Sequence, residues 1–454
     1  MDWPQRTLRE FNFGYQMLTK VAARISANQH RIRRAGVEGT WITVGQVVAV
    51  AGSLASVRLL TGYLSPEQYG ELALALTLCS LVGQVFTGGL IVSIGRFYSI
   101  AIERADLQHY LRAAWICMMR AMLALLGVAI SIGIVIGIVG TWLWMALAMT
   151  SLLFATVSGF NSALSSIQNA ARQRIVVALH ASGEAWLKIA LALLLLWLFG
   201  VSAATVLVAF VLSALCVTVS QLCFLGRLAN QHEQRVQTDT TDRWRREIWA
   251  FALPLSGWGI FSWAQQSSDR WALQAFTTTA ELGQYAAVFQ LGYTPISVAS
   301  GLLLTLVAPV AYQRARTGSD AGATRRARSM LFRISLGTIG LTLLATVLAW
   351  IFHAWLFALL VGVEFRSASH LLPWVVMAGG LFSAGQILSL TSFVELDARA
   401  LLIPKIVTAV LGIGCNFLGA RYFGTDGVVA GLLGFSLVYL VWMMTLVRGA
   451  HAAP

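Results

Sequence analysis

The chain has 454 residues, of which 57% are hydrophobic and only 11% charged, against roughly 25% charged in a typical soluble domain. Too few polar residues are present to cover a soluble globule, and the apolar content excludes intrinsic disorder. The formal net charge of +13 is spread over short connections between apolar runs, the distribution that sets membrane topology. It is not gathered into a basic domain, so nucleic acid is excluded as a partner.

Apolar runs of about 20 residues, each enough to cross ~30 Å of hydrocarbon, recur along almost the whole length. They are expected over 40–63, 70–95, 113–139, 142–164, 176–199 and 201–225, then over 248–275, 281–308, 331–355, 371–393, 400–422 and 426–447. Lipid-facing backbone must satisfy its own hydrogen bonds, which calls for helices; the runs are too long and too uniformly apolar for barrel strands. The expected fold class is an all-α polytopic membrane protein with 12 transmembrane helices. Of the 32 Lys and Arg residues, 26 fall before the first run, after the last, or at alternate connections, counting Arg333 and Lys405 just inside the adjoining runs. The positive-inside rule then puts both termini in the cytoplasm and requires an even number of spans.

Residues 1–38 lack the apolar core and cleavage site of a secretory signal. Leu8, Phe11, Tyr15, Leu18, Ala22 and Ile25 recur at spacings of three and four between Arg6, Arg9, Lys20 and Arg24. That pattern fits a basic amphipathic helix on the membrane surface, and equally a loose basic leader. The widest polar interruption, 227–247, separates residues 39–226 from residues 248–449, six runs from six. The halves share a local pattern, S-P-E-Q-Y-G-E-L-A at 65–73 and T-T-A-E-L-G-Q-Y-A at 278–286, a separation of 213. Six helices per half preserve orientation, so the expected architecture is two six-helix lobes related by a pseudo-two-fold axis along the membrane normal, as in transporters.

Polar residues inside the runs mark either a hydrated cavity or interhelical hydrogen bonds. Gln265 and Gln266 share a stripe with Ser262 and Asp269, and Asn161 shares one with Ser158, Ser162 and Ser165. Charges discriminate better, because an ionised group at mid-bilayer costs at least ~2.5–3.5 kcal/mol. Arg58, Arg120, Lys188, Arg270 and Lys405 are the cationic candidates for a substrate cavity. Arg58 and Arg270, near helix ends, are also placed to snorkel. Glu184 and Lys188 are i, i+4 neighbours in the favourable order. A net cationic cavity suits an anionic headgroup such as a pyrophosphate. Pro254, Pro295 and Pro404 interrupt their helices, which serves either rocking motion or static irregular packing. Cys79, Cys117, Cys216, Cys223 and Cys415 lie in apolar runs without ligand spacing and read as small buried hydrophobes, with no metal site.

R-L-L-T-G-Y-L-S-P-E-Q-Y-G (Arg58–Gly70), G-G-L-I-V-S-I-G-R-F-Y (Gly88–Tyr98), D-R-W-A-L (Asp269–Leu273) and L-G-Q-Y-A-A (Leu282–Ala287) resemble signatures of Wzx-type polysaccharide flippases of the multidrug/oligosaccharidyl-lipid/polysaccharide exporter superfamily. The sequence departs from that pattern at Gln274 and Thr277–Thr279. The resemblance implies a bacterial inner-membrane flippase for undecaprenyl-diphosphate-linked oligosaccharide, working by alternating access in O-antigen or exopolysaccharide assembly. Its partners would be that substrate, the surrounding membrane lipids, and a polysaccharide polymerase and chain-length regulator. It also implies proton or sodium coupling, with Asp269 or Glu184 as candidate ion sites. No cofactor is expected, and no nucleotide-binding motif occurs. Two other readings stay open: a multidrug antiporter of the same superfamily, which the excess of intramembrane cations disfavours, and a membrane enzyme on polyprenyl-linked glycans. The short outer connections, with Glu364, Arg366 and His370 as the polar content of the longest, disfavour the enzyme.

Overall fold

The computed structural model describes residues 40–41, 43–139, 142–229, 238–315, 321–394 and 402–449; the expected amphipathic segment 1–38 lies outside them. The described chain is helical almost throughout. In order come α1 (Thr43–Tyr63), α2 (Pro66–Glu103), α3 (Leu107–Val139), α4 (Trp142–Ala170), α5 (Arg174–Phe199) and α6 (Ala203–Ala229). Then follow α7 (Thr238–Phe276), α8 (Thr279–Ala315), α9 (Ala321–Leu360), a 3-10 segment Val363–Leu371, α10 (Leu372–Val394) and the helical stretch Leu402–Gly449. Large apolar side chains cover the outside: on α9, Leu341, Leu344, Val347, Trp350, Ile351 and Trp355 are all exposed. Water would not tolerate that band, whereas hydrocarbon does. The protein is a multi-pass membrane protein.

Among the described residues, ten helices are long and apolar enough to cross a membrane, against twelve expected spans. The difference has two sources. Leu402–Gly449 counts once, yet 48 residues at 1.5 Å each would overshoot the ~30 Å hydrocarbon core more than twofold. Gly424 resolves this: its backbone (φ 59°, ψ −135°) lies outside the helical region in a conformation that favours glycine. The chain folds back there, so that Gly419 meets Gly427, Cys415 meets Gly431 and Gly412 meets Phe435. Residues 402–423 (α11) and 425–449 (α12) are thus an antiparallel hairpin. The second source is α7, which carries Ser262, Gln265, Gln266, Asp269 and Arg270 and is too polar to register. It nevertheless lies antiparallel along α2: Thr77 accepts the Trp263 indole N–H at 2.8 Å, Gln84 meets Gly259, Gly89 meets Ala252, and Arg104 pairs with Glu247 at 3.0 Å.

Helix ends differ from the expected runs for one reason. Apolarity marks the part of a helix in lipid, whereas helix termination is set by caps and turns. The S-P-E-Q motif is a capping box for α2: Ser65 Oγ accepts from Gln68 N–H at 3.3 Å, Gln68 Oε1 accepts from Ser65 N–H at 3.1 Å, and Pro66 occupies the first turn. In the second copy, Thr278 Oγ1 accepts from Glu281 N–H at the start of α8. Residues 227–247, expected as a connecting loop, include the end of α6 and the first ten residues of α7; 230–237 are not described. Within α2, Gly83–Gly88 widens into a π-helical turn, a feature that apolar periodicity does not report.

The two capping motifs meet. A Cβ on Gly70 would lie 2.1 Å from the Thr279 carbonyl, and one on Gly283 would lie 1.9 Å from the Pro66 carbonyl. With a 213-residue offset these are the same contact in reciprocal form, as across a two-fold axis. We expect Gly283→Ala to force α2 and α8 apart at about 1–3 kcal/mol of destabilisation. Gly337→Ala, where a Cβ meets nothing within 4 Å, should leave thermal unfolding in detergent unchanged. Equal melting of the two variants would show that the crossing is not tight.

Candidate functional site

A cavity of about 710 Å³ lies between the two halves, lined from α1, α2 and α4–α6 on one side and α7, α8 and α10–α12 on the other. Among the described residues, neither α3 nor α9 contributes to the lining. Its size falls within the range of small-molecule sites. Halves touch at both ends. At one end are the Gly70–Thr279 and Gly283–Pro66 crossings, Gly362 N–H donating to Thr61 Oγ1 at 2.9 Å, and the Tyr69–Phe365 edge contact. At the other, Arg104 pairs with Glu247, and Asp106 accepts the Trp244 indole N–H at 2.7 Å and bonds the His109 ring. The Arg104 guanidinium also lies 4.8 Å over Trp244.

Three cations and one carboxylate line the cavity: Lys188, Arg270, Lys405 and Asp269. Lys188 on α5 pairs with Glu184 at 2.6 Å and sits 5.1 Å over the Phe154 ring and 5.8 Å over Phe210. Arg270 on α7 lies 4.6 Å over Phe289, which stacks on Tyr293 at 4.6 Å. Ring quadrupoles attract cations, by about 2 kcal/mol or more where water is excluded, which adds to the Glu184 pairing of Lys188 and seats the Arg270 guanidinium. Asp269 is buried; Oδ2 accepts from the Tyr285 hydroxyl at 2.7 Å and Oδ1 from the Arg270 backbone N–H at 2.8 Å. Among the described residues, three cations stand against two carboxylates when Glu184 is counted.

The structure brings together Lys188, Arg270, Lys405, Gln265, Gln266 and Asp269, all lining residues, with Glu184 one contact behind. It separates three others expected with them. Arg120 is exposed on α3, outside the cavity wall, because the buried face of α3 (Tyr110, Ala113, Ala114, Cys117) packs with Trp244 and Ile248 of α7 instead of lining the cavity. Arg58 is exposed, and its Nη1 donates to the Val361 carbonyl at 3.3 Å, an end-of-helix tie between halves. Asn161 is buried between α4 and α6, with Nδ2 donating to the Ala214 carbonyl at 3.0 Å and Oδ1 accepting from Thr218 at 2.7 Å. The α4 polar stripe is therefore interhelical bonding, as the Gln221–Ser165 bond at 3.2 Å also indicates. Only Cys117 of the five free cysteines is fully buried; Cys216, Cys223 and Cys415 are exposed on the apolar exterior. The expectation of buried cysteines fails for these three because an outward helix face in lipid is as apolar as a core.

Phe154, Phe210, Phe289 and Tyr293 are site residues that sequence reasoning missed. In an apolar helix an aromatic that seats a cation has the same periodicity as one that fills a core.

The fold defined by these helices is similar to that of solved membrane transporters. Particular solved structures share it. The lipid II flippase MurJ in an inward closed conformation matches with a TM-score of 0.67 at 12% identity, over 90% of this chain and 87% of that one. The Vibrio cholerae MATE transporter VcmN, in a single-site mutant form, matches at 0.60 and 13% identity, over 91% and 97%. An inward-facing multidrug resistance MATE family transporter of the MOP superfamily matches at 0.59 and 16% identity, over 90% and 96%. No family model matches the chain, and no curated protein matches it in sequence. At such identities the likeness is one of fold.

The two polar stripes should behave oppositely on mutation. Asn161→Ala removes the α4 side of this bonding, leaving the Thr218 hydroxyl and the Ala214 carbonyl only their mutual bond at 2.8 Å, and is expected to destabilise by about 0.5–1.5 kcal/mol, whereas Gln266→Ala on the cavity wall should stay within about 0.5 kcal/mol. Thermal melting of the purified variants measures this; a larger loss for Gln266→Ala would reverse the assignment.

Proposed function

We propose that the protein is a flippase for undecaprenyl-diphosphate-linked oligosaccharide, and that Lys188 and Arg270 receive the diphosphate. The observation that carries this reading is the pair of cations on aromatic seats, one from each half of the chain, in a cavity whose lining is net positive. An anion gains Coulomb energy and charge-assisted hydrogen bonds there, while an organic cation is repelled, which disfavours multidrug export. The polyprenyl tail is far larger than the cavity and would remain in the bilayer. The MATE and MurJ folds support transport over catalysis. On the enzymatic alternative, Arg366 and His370 bond helix-end carbonyls of Ala358 and Ser367, which favours a structural part for them.

In this reading the twelve helices, α7 and the α11–α12 hairpin included, form two six-helix lobes, residues 39–226 and 248–449, with both termini cytoplasmic in a bacterial inner membrane. The reciprocal α2–α8 contact supports the pseudo-two-fold axis. Alternating access requires the two closed ends to part in turn. The Arg104–Glu247 and Asp106–Trp244 contacts form the cytoplasmic closure, and the glycine crossings form the periplasmic one. Reporter fusions after residues 235, 320 and 450 should report cytoplasm, and those after 280 and 365 periplasm; a periplasmic signal at 235 overturns this topology.

The substrate reading is tested by complementation in a host lacking the native gene. Lys188→Ala and Arg270→Ala should each lower surface polysaccharide at unchanged protein level, and Arg120→Ala, exposed on α3 and outside the cavity lining, should complement fully. Retained function in both cavity variants would sink the assignment. Asp269 is the proposed coupling group, because a bistable carrier is biased only by a group whose ion occupancy differs between states, and this carboxylate is buried at the cavity wall. Asp269→Asn should abolish gradient dependence of lipid-linked sugar movement in proteoliposomes; an unchanged gradient response would shift attention to Glu184.

A further inference from the structure

α2 and α7 lie antiparallel, with Gly89 at Ala252, Gln84 at Gly259 and the Thr77 carbonyl at the Trp263 indole. Seven residues further along each helix, that register brings Arg270 of the C-terminal half level with Gly70 and its neighbour Tyr69 in the N-terminal half. Tyr69 and Arg270 both line the cavity, and the Arg270 charge acts on the Tyr69 hydroxyl. The Tyr69 ring is fixed edge-on against Phe365 at 5.5 Å. A buried tyrosine hydroxyl usually finds a partner: Tyr285 donates to Asp269 at 2.7 Å, and Tyr110 donates to the Ile94 carbonyl. Tyr69 is only 8% exposed, yet its hydroxyl bonds no described residue, and its oxygen is not sealed off from the cavity. The Arg270 guanidinium stands over Phe289 and likewise meets no acceptor among the described residues.

An anion satisfies both groups. The guanidinium offers charge and paired N–H donors, the phenol offers one O–H, and phosphate oxygens are strong acceptors. An organic cation would be repelled by Arg270, and an apolar ligand would leave both donors unpaired. Tyr69 also stands beside the closure, since a Cβ on the next residue, Gly70, would lie 2.1 Å from the Thr279 carbonyl. When that crossing parts, Tyr69 moves with α2 while Arg270 stays with α7 in the other half. We infer that Tyr69 and Arg270 clamp the diphosphate from opposite halves, and that the Tyr69 hydrogen bond exists only while the glycine crossing is closed. The inference rests on the flippase reading above and adds a release step. Opening the crossing withdraws one donor, so the anion is held less tightly in the state that discharges it. A ligand biases a two-state carrier only through such a difference in affinity.

The test measures binding of undecaprenyl diphosphate to the full-length protein in nanodiscs. Tyr69→Phe removes the hydroxyl and keeps the ring against Phe365. Loss of one hydrogen bond to a charged group corresponds to about tenfold weaker binding, with thermal melting unchanged. The dependence on closure is read from a double-mutant cycle with Gly283→Ala, which pushes α2 and α8 apart. In that background Tyr69→Phe should change affinity less than about twofold. Wild-type affinity in Tyr69→Phe, or an equal loss in both backgrounds, overturns the clamp; weaker binding by Arg270→Ala would then still uphold the diphosphate site. Should Gly283→Ala fail to fold, the single variant decides, and unchanged affinity in Tyr69→Phe overturns the clamp. No binding of the probe by wild type overturns both the clamp and the flippase reading.

Discussion

Two helices can lie backbone against backbone only where a glycine leaves the room, and the crossing of α2 with α8 is such a place. Gly70 faces the Thr279 carbonyl and Gly283 faces the Pro66 carbonyl, with no room for a methyl group at either. Each glycine belongs to a helix N-terminus fixed by its own cap, Ser65 in one half and Thr278 in the other. The crossing therefore sets where α2 and α8 begin relative to one another. Once it is set, α7 follows α2 down its length, and the opposite ends meet at Arg104, Asp106, Trp244 and Glu247. The cavity is what remains between two such closures.

Charge inside that cavity is managed by geometry. A cation deep in a membrane protein needs a counter-ion, a carbonyl or an aromatic face. Lys188 has Glu184 and two phenylalanines, and Arg270 has Phe289 with Tyr293 behind it. An aromatic seat holds a cation without cancelling it, as at Arg270, whereas Lys188 shares its charge with Glu184. Asp269 is placed differently: its two oxygens are taken by Tyr285 and the Arg270 backbone. Such a carboxylate neutralises little of the Arg270 guanidinium, which is turned to Phe289.

Polar residues in the helices divide into two uses that look alike along the chain. The α4 stripe with Asn161 and Ser165 bonds α6, while the α7 stripe with Gln265 and Gln266 faces open space. Both have spacings of three and four residues. What separates them is whether a neighbouring helix packs on that face, a property of the bundle. Arg58 and Arg120 divide from Lys188 and Arg270 for the same reason, with α3 standing outside the ring of lining helices.

The sequence by itself determined a membrane-embedded helical chain, because hydrocarbon leaves the backbone few alternatives and apolar length is a local property. It determined the caps of α2 and α8 too, since S-P-E-Q and T-T-A-E act within one turn. Tertiary structure decided which intramembrane charges share a cavity, which polar stripe is bonding and which is lining, that Gly424 turns one long helical stretch into a hairpin, and that four aromatic residues are cation seats. Those outcomes depend on which helix faces meet across hundreds of residues, and a helical face carries the same periodicity whether it looks at lipid, at a neighbour or at a cavity.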